Sequence, residues 1–257
     1  MRHHELTAAE SLTQLASPSL FRINPDADIQ LHKISDGRFC AIVDNALENP
    51  QALVDFAVRH SAEFSSPPMA PGPRFYFKDK SLSELHRFVR SKLSRHFPFF
   101  RSGIELYGCL SNVTMQPEEL SPLQRLCHTD SLMSESTHTY AGVLYLFENP
   151  DLGGTAFYRW KRPEVIEERD RLFAIDPQAA IRYLESASPI FQEPPAYITA
   201  SNDIAELLTV VPAKYNRLIF YDGVAPHSGH IINPQLLDDD LTRGRLTLNF
   251  FSKVRLK

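Results

Sequence analysis

The chain has 257 residues and is 43% hydrophobic, which is enough to build a sizeable core and excludes global disorder. Its formal net charge of −4, without a strongly basic block, argues against a dedicated nucleic-acid-binding protein. The three cysteines have no CxxC spacing, which argues against a disulfide framework and a structural zinc cluster. The sequence shows neither an apolar run of about 18 residues nor a secretory signal pattern, so we expect a cytoplasmic protein that does not enter a membrane.

The first hundred residues predict a mixed region of helices and strands. Residues 1–20 form a polar lead-in, followed by predicted strands over Asp28–Ile34 and Arg38–Val43, a helix over 50–61, a proline-rich loop over Pro67–Pro73 and a second helix from Ser81 to about His96. Asn49 followed by Pro50 is typical of a helix N-terminus. Ser81 and Glu84 have the spacing of a capping box, so we expect them to begin the second helix.

Beyond residue 104 the sequence changes to short β-rich segments bounded by turn residues. They are Ile104–Gln116, Tyr140–Phe147, Thr155–Trp160, Glu206–Val211, Arg217–Asp222 and Arg245–Ser252. Residues 161–204 interrupt them with helix signals, so we expect a helical insertion that is a candidate lid. The pattern favours a mainly β fold with flanking helices, a sandwich or barrel. We predict one domain over 21–257, in which 21–103 supports a β core formed by 104–257.

The motif Cys127-His128-Thr129-Asp130 carries the first chemical signal. On an extended segment residues i and i+2 point to the same side, so His128 and Asp130 can present an imidazole and a carboxylate to one point. Two histidines and one carboxylate on one face of a metal are the ligand set of non-haem Fe(II) oxygenases. An HxD match also arises by chance, so a surface turn with a histidine at a strand edge stays an alternative.

A turn about a hundred residues later can complete this ligand set. The β-rich run Arg217–Asp222 ends in a glycine- and proline-containing turn that is followed at once by His227 and then by His230. A sheet edge at this point can deliver a third ligand. Either histidine can serve, which leaves the other beside the site or facing solvent.

The last β-rich segment separates polar from apolar residues with a period of two. Arg245, Thr247 and Asn249 share one face, and the residues between them are hydrophobic. We interpret this segment as a barrel strand whose inner face lines a polar site, with an exposed edge strand as the alternative. A planar guanidinium there is suited to a bidentate interaction with a carboxylate.

The order of these features resembles the Fe(II)/2-oxoglutarate-dependent dioxygenase superfamily, most of all its prolyl-hydroxylase-like branch. In that superfamily an HxD motif precedes a distal histidine, and a basic residue lies on the following strand. The resemblance covers roughly residues 104–257, with 161–204 as a departure, and implies a double-stranded β-helix core of the jelly-roll, cupin-like kind. It implies Fe(II) held by His128, Asp130 and His227, in preference to the second histidine of the turn.

The resemblance also implies 2-oxoglutarate as co-substrate, together with dioxygen. Arg245 matches the basic residue that meets the distal carboxylate of 2-oxoglutarate, with Tyr145 and Thr247 as assisting residues. An acidic loop at Asn233–Thr242 places Arg245 farther from the distal histidine than is usual in the superfamily. This spacing keeps Arg243 as an alternative.

The implied activity is that of an oxygenase that hydroxylates an amino acid, a peptide or protein side chain, or a small metabolite. Halogenases of this superfamily have a small residue at the aspartate position, so Asp130 implies oxygenation. Two alternatives stay open. One is a cupin-type metal enzyme that does not use 2-oxoglutarate and does not need Arg245, and the other is a non-catalytic β-helix binding module.

Overall fold

The computed structural model describes residues 20–77, 81–97, 105–130 and 137–255. Their strands are β1 (Ile29–Ser35), β2 (Arg38–Val43), β3 (Arg74–Tyr76), β4 (Glu105–Val113), β5 (Thr137–Tyr145), β6 (Thr155–Trp160), β7 (Ala205–Val211), β8 (Leu218–Asp222), β9 (His227–Gly229) and β10 (Arg245–Arg255). Their α-helices are α1 (Gln51–Arg59), α2 (Ser83–Phe88), α3 (Pro163–Phe173) and α4 (Pro177–Ala187). The predicted lead-in over 1–20 falls, apart from Leu20, outside the described residues, and so does Ile104 at the predicted start of the core.

The ends of the helices follow local sequence in most places. α1 begins directly after Pro50, and the side chain of Asp176 accepts a hydrogen bond from the backbone of Gln178 at the start of α4. The capping box predicted at Ser81 is wrong, because α2 begins two residues later, after Leu82, and has no side-chain cap. Short helical turns cover Ser61–Glu63, Val89–Leu93, Ser94–His96, Pro117–Glu119, Pro122–Arg125, Pro150–Leu152, Pro189–Phe191 and Pro234–Leu236. No helix in the described part of the chain has the length and apolar character required to span a bilayer.

The strands form two antiparallel sheets between which the chain repeatedly crosses. The larger sheet has the order β1-β2-β8-β5-β10-β4-β3, and the smaller has the order β7-β6-β9. An isolated bridge between His128 and His227 adds the segment between β4 and β5 to the β9 edge of the smaller sheet. From β4 onward the chain thus visits the larger, smaller, larger, smaller, larger, smaller and larger sheet. This alternation is a double-stranded β-helix and confirms the predicted jelly-roll core.

The region before residue 104 contributes strands as well as helices to this core. β2 pairs with β8, and β3 pairs with β4, so both outer ends of the larger sheet come from the N-terminal region. Leu53 of α1 and Leu85 of α2 pack in one apolar cluster with Leu248 and Phe250 of β10. The helices therefore cover one face of the larger sheet. Its other face is left for the cavity described below.

The helical insertion packs beside the segment that carries the HxD motif. Val165 of α3 and Leu184 of α4 share an apolar cluster with Leu126, two residues before His128. The sequence signals at Pro163 and at Asp176-Pro177 correctly indicated these two helices. The insertion therefore supports one wall of the cavity.

Candidate metal centre and its cavity

Three residues of the predicted ligand set come together where the HxD segment meets β9. The backbones of His128 and His227 exchange two hydrogen bonds of 2.9 Å, and the Asp130 N–H donates to the carbonyl of Gly223 at 2.8 Å. These contacts hold the HxD segment against β9, where His128 forms an isolated bridge. The side chains of His128 and Asp130 face the same side, as their spacing predicted.

The donor atoms of these side chains converge. Asp130 Oδ2 lies 3.1 Å from His227 Nε2, and Asp130 Oδ1 lies 3.6 Å from His128 Nε2. One ligand atom of each residue lies within 4.8 Å of the others. His227 Nδ1 donates to the carbonyl of Ala225 at 2.9 Å, which leaves Nε2 as the free ligand atom. Two imidazole nitrogens and one carboxylate on one side suit a divalent transition metal, so this group can hold a metal ion.

The electrostatics of the group favour a positive charge at its centre. Burial by itself raises the pKa of Asp130, but His227 and the hydrogen bonds from both imidazoles hold that pKa well below its usual range. Burial acts to lower the pKa of His227, and the adjacent Asp130 carboxylate overcomes this and raises it. The carboxylate thus stays ionised and attracts a proton to His227. A divalent cation can occupy this position in place of the proton.

The group opens into a cavity of about 390 Å³, within the range of small-molecule sites. The three candidate ligands line one wall of this cavity. The opposite wall includes Arg245, Thr247, Asn249 and Phe251, which are alternate residues of β10. The polar face predicted for this strand therefore does line the site, as its period of two indicated.

Arg245 is a buried cation without a carboxylate partner. Its side chain donates to the carbonyls of Leu152 and Gly154 at 3.0 and 2.8 Å, and its guanidinium lies over the Phe147 ring. No carboxylate among the described residues forms an ion pair with it. Burial lowers the pKa of Arg245, yet a guanidinium remains charged in proteins. A buried charge of this kind is costly unless an anion compensates it, so the cavity suits a negatively charged ligand.

The two predicted assisting residues differ in position. Thr247 lines the cavity, and its hydroxyl donates to the Ser111 carbonyl at 3.3 Å. Tyr145 does not line the cavity, whereas Thr155 does. The Tyr145 hydroxyl lies 2.8 Å from that of Thr155. The contact of Tyr145 with the co-substrate stays a prediction. Burial raises the pKa of Tyr145 to about 12, so its hydroxyl stays protonated.

The two alternatives that the sequence left open lie outside the cavity wall. His230 Nε2 is 3.1 Å from the carbonyl of Thr199, away from the candidate ligands. Arg243 is exposed, and its Nη2 pairs with Asp238 at 3.0 Å within the acidic loop. Geometry therefore favours His227 and Arg245 at the site.

Several cavity residues were not found by sequence reasoning. Arg74 comes from β3, a strand of three residues that is too short to show a period of two. Met69 and Pro71 come from the proline-rich loop, and Tyr197 comes from the end of the insertion. The insertion and the loop both contribute to the walls.

One further histidine has a partner that the sequence did not indicate. His138 Nε2 lies 2.9 Å from Asp222 Oδ1. Asp222 also accepts the backbone N–H of Val224 and thereby shapes the turn whose Gly223 carbonyl holds Asp130. Pairing of β5 with β8 brings these residues together, and that pairing is not visible in a single sequence.

The fold and the site define a double-stranded β-helix protein with a His-Asp-His group in its cavity. The model of a family described as "Family of unknown function (DUF6445)" matches residues 25–252, and the chain belongs to that family. Comparison with curated proteins finds no significant match.

The solved structures to which the chain is similar include prolyl 4-hydroxylases. The Phytophthora capsici structure has 14% identity and a TM-score of 0.41, over 83% of this chain and 58% of that one. The Pseudomonas putida structure has 13% identity and a TM-score of 0.41, over 86% and 95%. HygX from Streptomyces hygroscopicus, with nickel and 2-oxoglutarate bound, has 11% identity and a TM-score of 0.43, over 85% and 83%. Because these sequence identities and TM-scores are low, the fold assignment rests on the strand order and not on these similarities.

Proposed function

We propose that this protein is an Fe(II)- and 2-oxoglutarate-dependent dioxygenase. The observation that carries the proposal is the combination, in one cavity, of the His128, Asp130 and His227 group with the uncompensated guanidinium of Arg245. A metal group alone also fits other metal enzymes, and a buried arginine alone fits other anion sites. Together they would suit a metal ion and a co-substrate with two carboxylates.

The co-substrate fits the charges of the cavity. 2-Oxoglutarate has a carboxylate at each end, and its 2-oxo acid end is a bidentate metal ligand. Its other carboxylate needs a buried partner, which Arg245 offers, with the hydroxyls of Thr247 and Thr155 beside it in the wall. A charge-assisted pair in a cavity of this kind is much stronger than one in water.

The chemistry follows from the bound groups and from their surroundings. When bound, Fe(II) with 2-oxoglutarate and dioxygen supplies oxidative decarboxylation to succinate and carbon dioxide, coupled to oxidation of a substrate C–H bond. The chain orients these reactants through the residues above and limits water with apolar wall residues such as Val143 and Phe251. Asp130 as a ligand supports oxygenation over halogenation. We propose hydroxylation of an amino acid, a peptide or protein side chain, or a small metabolite.

Anaerobic titration tests the proposal without a known substrate. Purified protein is mixed with Fe(II) and then with 2-oxoglutarate, and absorbance in the visible range is followed. The expected result is a charge-transfer band that requires both components. Metal binding without 2-oxoglutarate binding would instead support a 2-oxoglutarate-independent metal enzyme. Binding of neither would support a non-catalytic module.

A further inference from the structure

Arg74 lies on the same cavity wall as Arg245 but on the other side of β4. It pairs with Ser111 of β4, and Ser111 pairs with Thr247 of β10. Directly opposed residues of neighbouring strands share a face of the sheet. Arg74, Ser111 and Thr247 therefore form a row across the cavity wall, and all three line the cavity.

The backbone of Arg74 is fixed on two sides. It exchanges hydrogen bonds of 2.7 and 2.9 Å with Ser65, while β4 pairs with its other edge. The loop before it places Met69 and Pro71 on the adjacent cavity wall. The side chain therefore extends from a defined position next to apolar groups, which is favourable for selective binding.

The described residues supply no salt-bridge partner for Arg74, because Glu63, which lines a second pocket together with it, contacts His60 instead. None of the described carboxylates forms an ion pair with Arg74, and its Nε is buried without a hydrogen-bond partner. Asp130 is the only carboxylate in the described cavity wall, and the proposed metal ion takes it. The wall thus holds two guanidinium groups and no free negative charge. The charge of the buried Arg245 is costly unless a ligand compensates it, and the half-buried Arg74 adds a second positive charge to the same wall.

The co-substrate does not account for both arginines. Arg245 pairs with Val113 on one side of β4, and Arg74 pairs with Ser111 on the other side. Two strand spacings and a shift of two residues put their backbones about 12 Å apart. 2-Oxoglutarate has one carboxylate for the metal and one for Arg245, so none remains for Arg74.

We propose that Arg74 binds a carboxylate of the substrate, so that the cavity selects carboxylate-bearing substrates such as amino acids or acidic metabolites. This inference rests on the proposed function, because it assigns Asp130 to the metal and Arg245 to 2-oxoglutarate. A guanidinium holds a carboxylate through two parallel hydrogen bonds. Arg74 has no lysine beside it in the described wall, which suits a monoanion better than a phosphate dianion. Met69 and Pro71 would contact the apolar part of the substrate.

Matched pairs of small molecules test this assignment. The protein is loaded with Zn(II) and saturating 2-oxoglutarate, so that no turnover occurs. The probes are N-acetyl-leucine, N-acetyl-phenylalanine and N-acetyl-proline, each with its carboxamide, and inorganic phosphate; binding is measured by ligand-observed NMR. The variants are Arg74→Gln, Arg74→Lys and Arg245→Gln. Arg38→Gln is the control, because it removes an arginine that is exposed on β2.

We expect at least one acid to bind about tenfold or more tightly than its carboxamide, since a charge-assisted hydrogen bond contributes at least this factor. Arg74→Gln should abolish that preference and leave the affinity for 2-oxoglutarate within about twofold, and Arg38→Gln should change neither. Arg74→Lys keeps the charge without the planar fork and should weaken the acid several-fold. If Arg74→Gln does not fold, unchanged acid binding in Arg74→Lys would overturn the assignment.

Other outcomes would also overturn it. These are the absence of any acid preference in the unaltered protein, a preference that survives Arg74→Gln, and a preference for phosphate alone. Loss of 2-oxoglutarate affinity in Arg74→Gln as large as in Arg245→Gln would place Arg74 in the co-substrate site instead. If the unaltered protein does not bind 2-oxoglutarate, the proposed function fails. The same probes on the Zn(II)-loaded protein then decide the role of Arg74 separately.

Discussion

Two arginines at the larger sheet differ in whether a carboxylate pairs with them. Arg217 lies just before β8 and Arg245 begins β10, with only β5 between those strands. Arg217 holds Asp44 through two contacts of 2.6 and 3.1 Å, and Lys214 adds a third at 2.9 Å. Arg245 is more deeply buried, and its described contacts are two carbonyl oxygens and a ring.

The difference indicates that the charge of Arg217 serves the stability of the fold, whereas the charge of Arg245 is available to a ligand. We call Asp44, Lys214 and Arg217 the rim cluster. Within it both cations pair with the Asp44 carboxylate, and Arg217 lowers the pKa of Asp44 to about 2. In the cavity, Arg245 and Arg74 have no such carboxylate partner among the described residues. Substitutions in the rim cluster should therefore change stability, and substitutions in the cavity should change ligand binding.

The largest effect should come from the metal group. We expect His227→Ala to weaken binding of Fe(II) by more than about 100-fold, because even the partners of metal ligands contribute factors of this order. His230→Ala is the matched control and should retain affinity, since its ring contacts the Thr199 carbonyl instead. Anaerobic calorimetry with Fe(II) measures both variants. Equal losses would contradict the assignment of His227.

Replacing the two arginines in parallel gives the next largest effect. Arg245→Gln should weaken 2-oxoglutarate about 100-fold while retaining the metal, because it removes one partner of a buried charge pair. Arg217→Gln should leave 2-oxoglutarate affinity unchanged and lower the free energy of unfolding by about 1 kcal/mol, as expected of a partly exposed ion pair. Calorimetry and urea denaturation give the two readings. A loss of 2-oxoglutarate binding in Arg217→Gln would contradict the separation.

Tyr145→Phe should have a smaller effect, of about fivefold on 2-oxoglutarate affinity. The change removes one hydrogen bond to Thr155, which contributes about 1 kcal/mol, and leaves the cavity wall in place. Titration of the charge-transfer band measures this affinity. A loss as large as that of Arg245→Gln would show that Tyr145 contacts the co-substrate directly.

The smallest effect is a dependence of stability on pH in the rim cluster. The pKa of Asp44 is about 2 in the folded chain and 3.8 in the unfolded chain. The contribution of Asp44 to the free energy of unfolding is therefore complete above about pH 4 and is lost as the pH falls toward 2. After allowance for solvent screening it is about 1 kcal/mol. Asp44→Asn should thus be less stable than the unaltered protein at pH 5, with a smaller difference at pH 3. Urea denaturation at both pH values checks this, and a difference independent of pH would exclude the ion pair as its cause.

Sequence reasoning succeeded where a signal is local. The period of two in β10 placed Arg245 and Thr247 on one face, and the HxD spacing placed His128 and Asp130 on one side of a strand. It failed where a residue depends on distant partners. Arg74 lies in a three-residue strand whose position is decided by β4.

The sequence by itself indicated the strand-rich core, the HxD pair of the candidate metal group and the polar face of β10, because each depends on spacing along one short segment. Only the tertiary structure placed His227 rather than His230 beside that pair, placed Arg245 rather than Arg243 in the cavity wall, and brought Arg74 into the cavity. These outcomes depend on which strands pair and on which charges find a partner within the fold. Both are set by contacts between residues far apart in the chain, where one sequence carries no periodic signal.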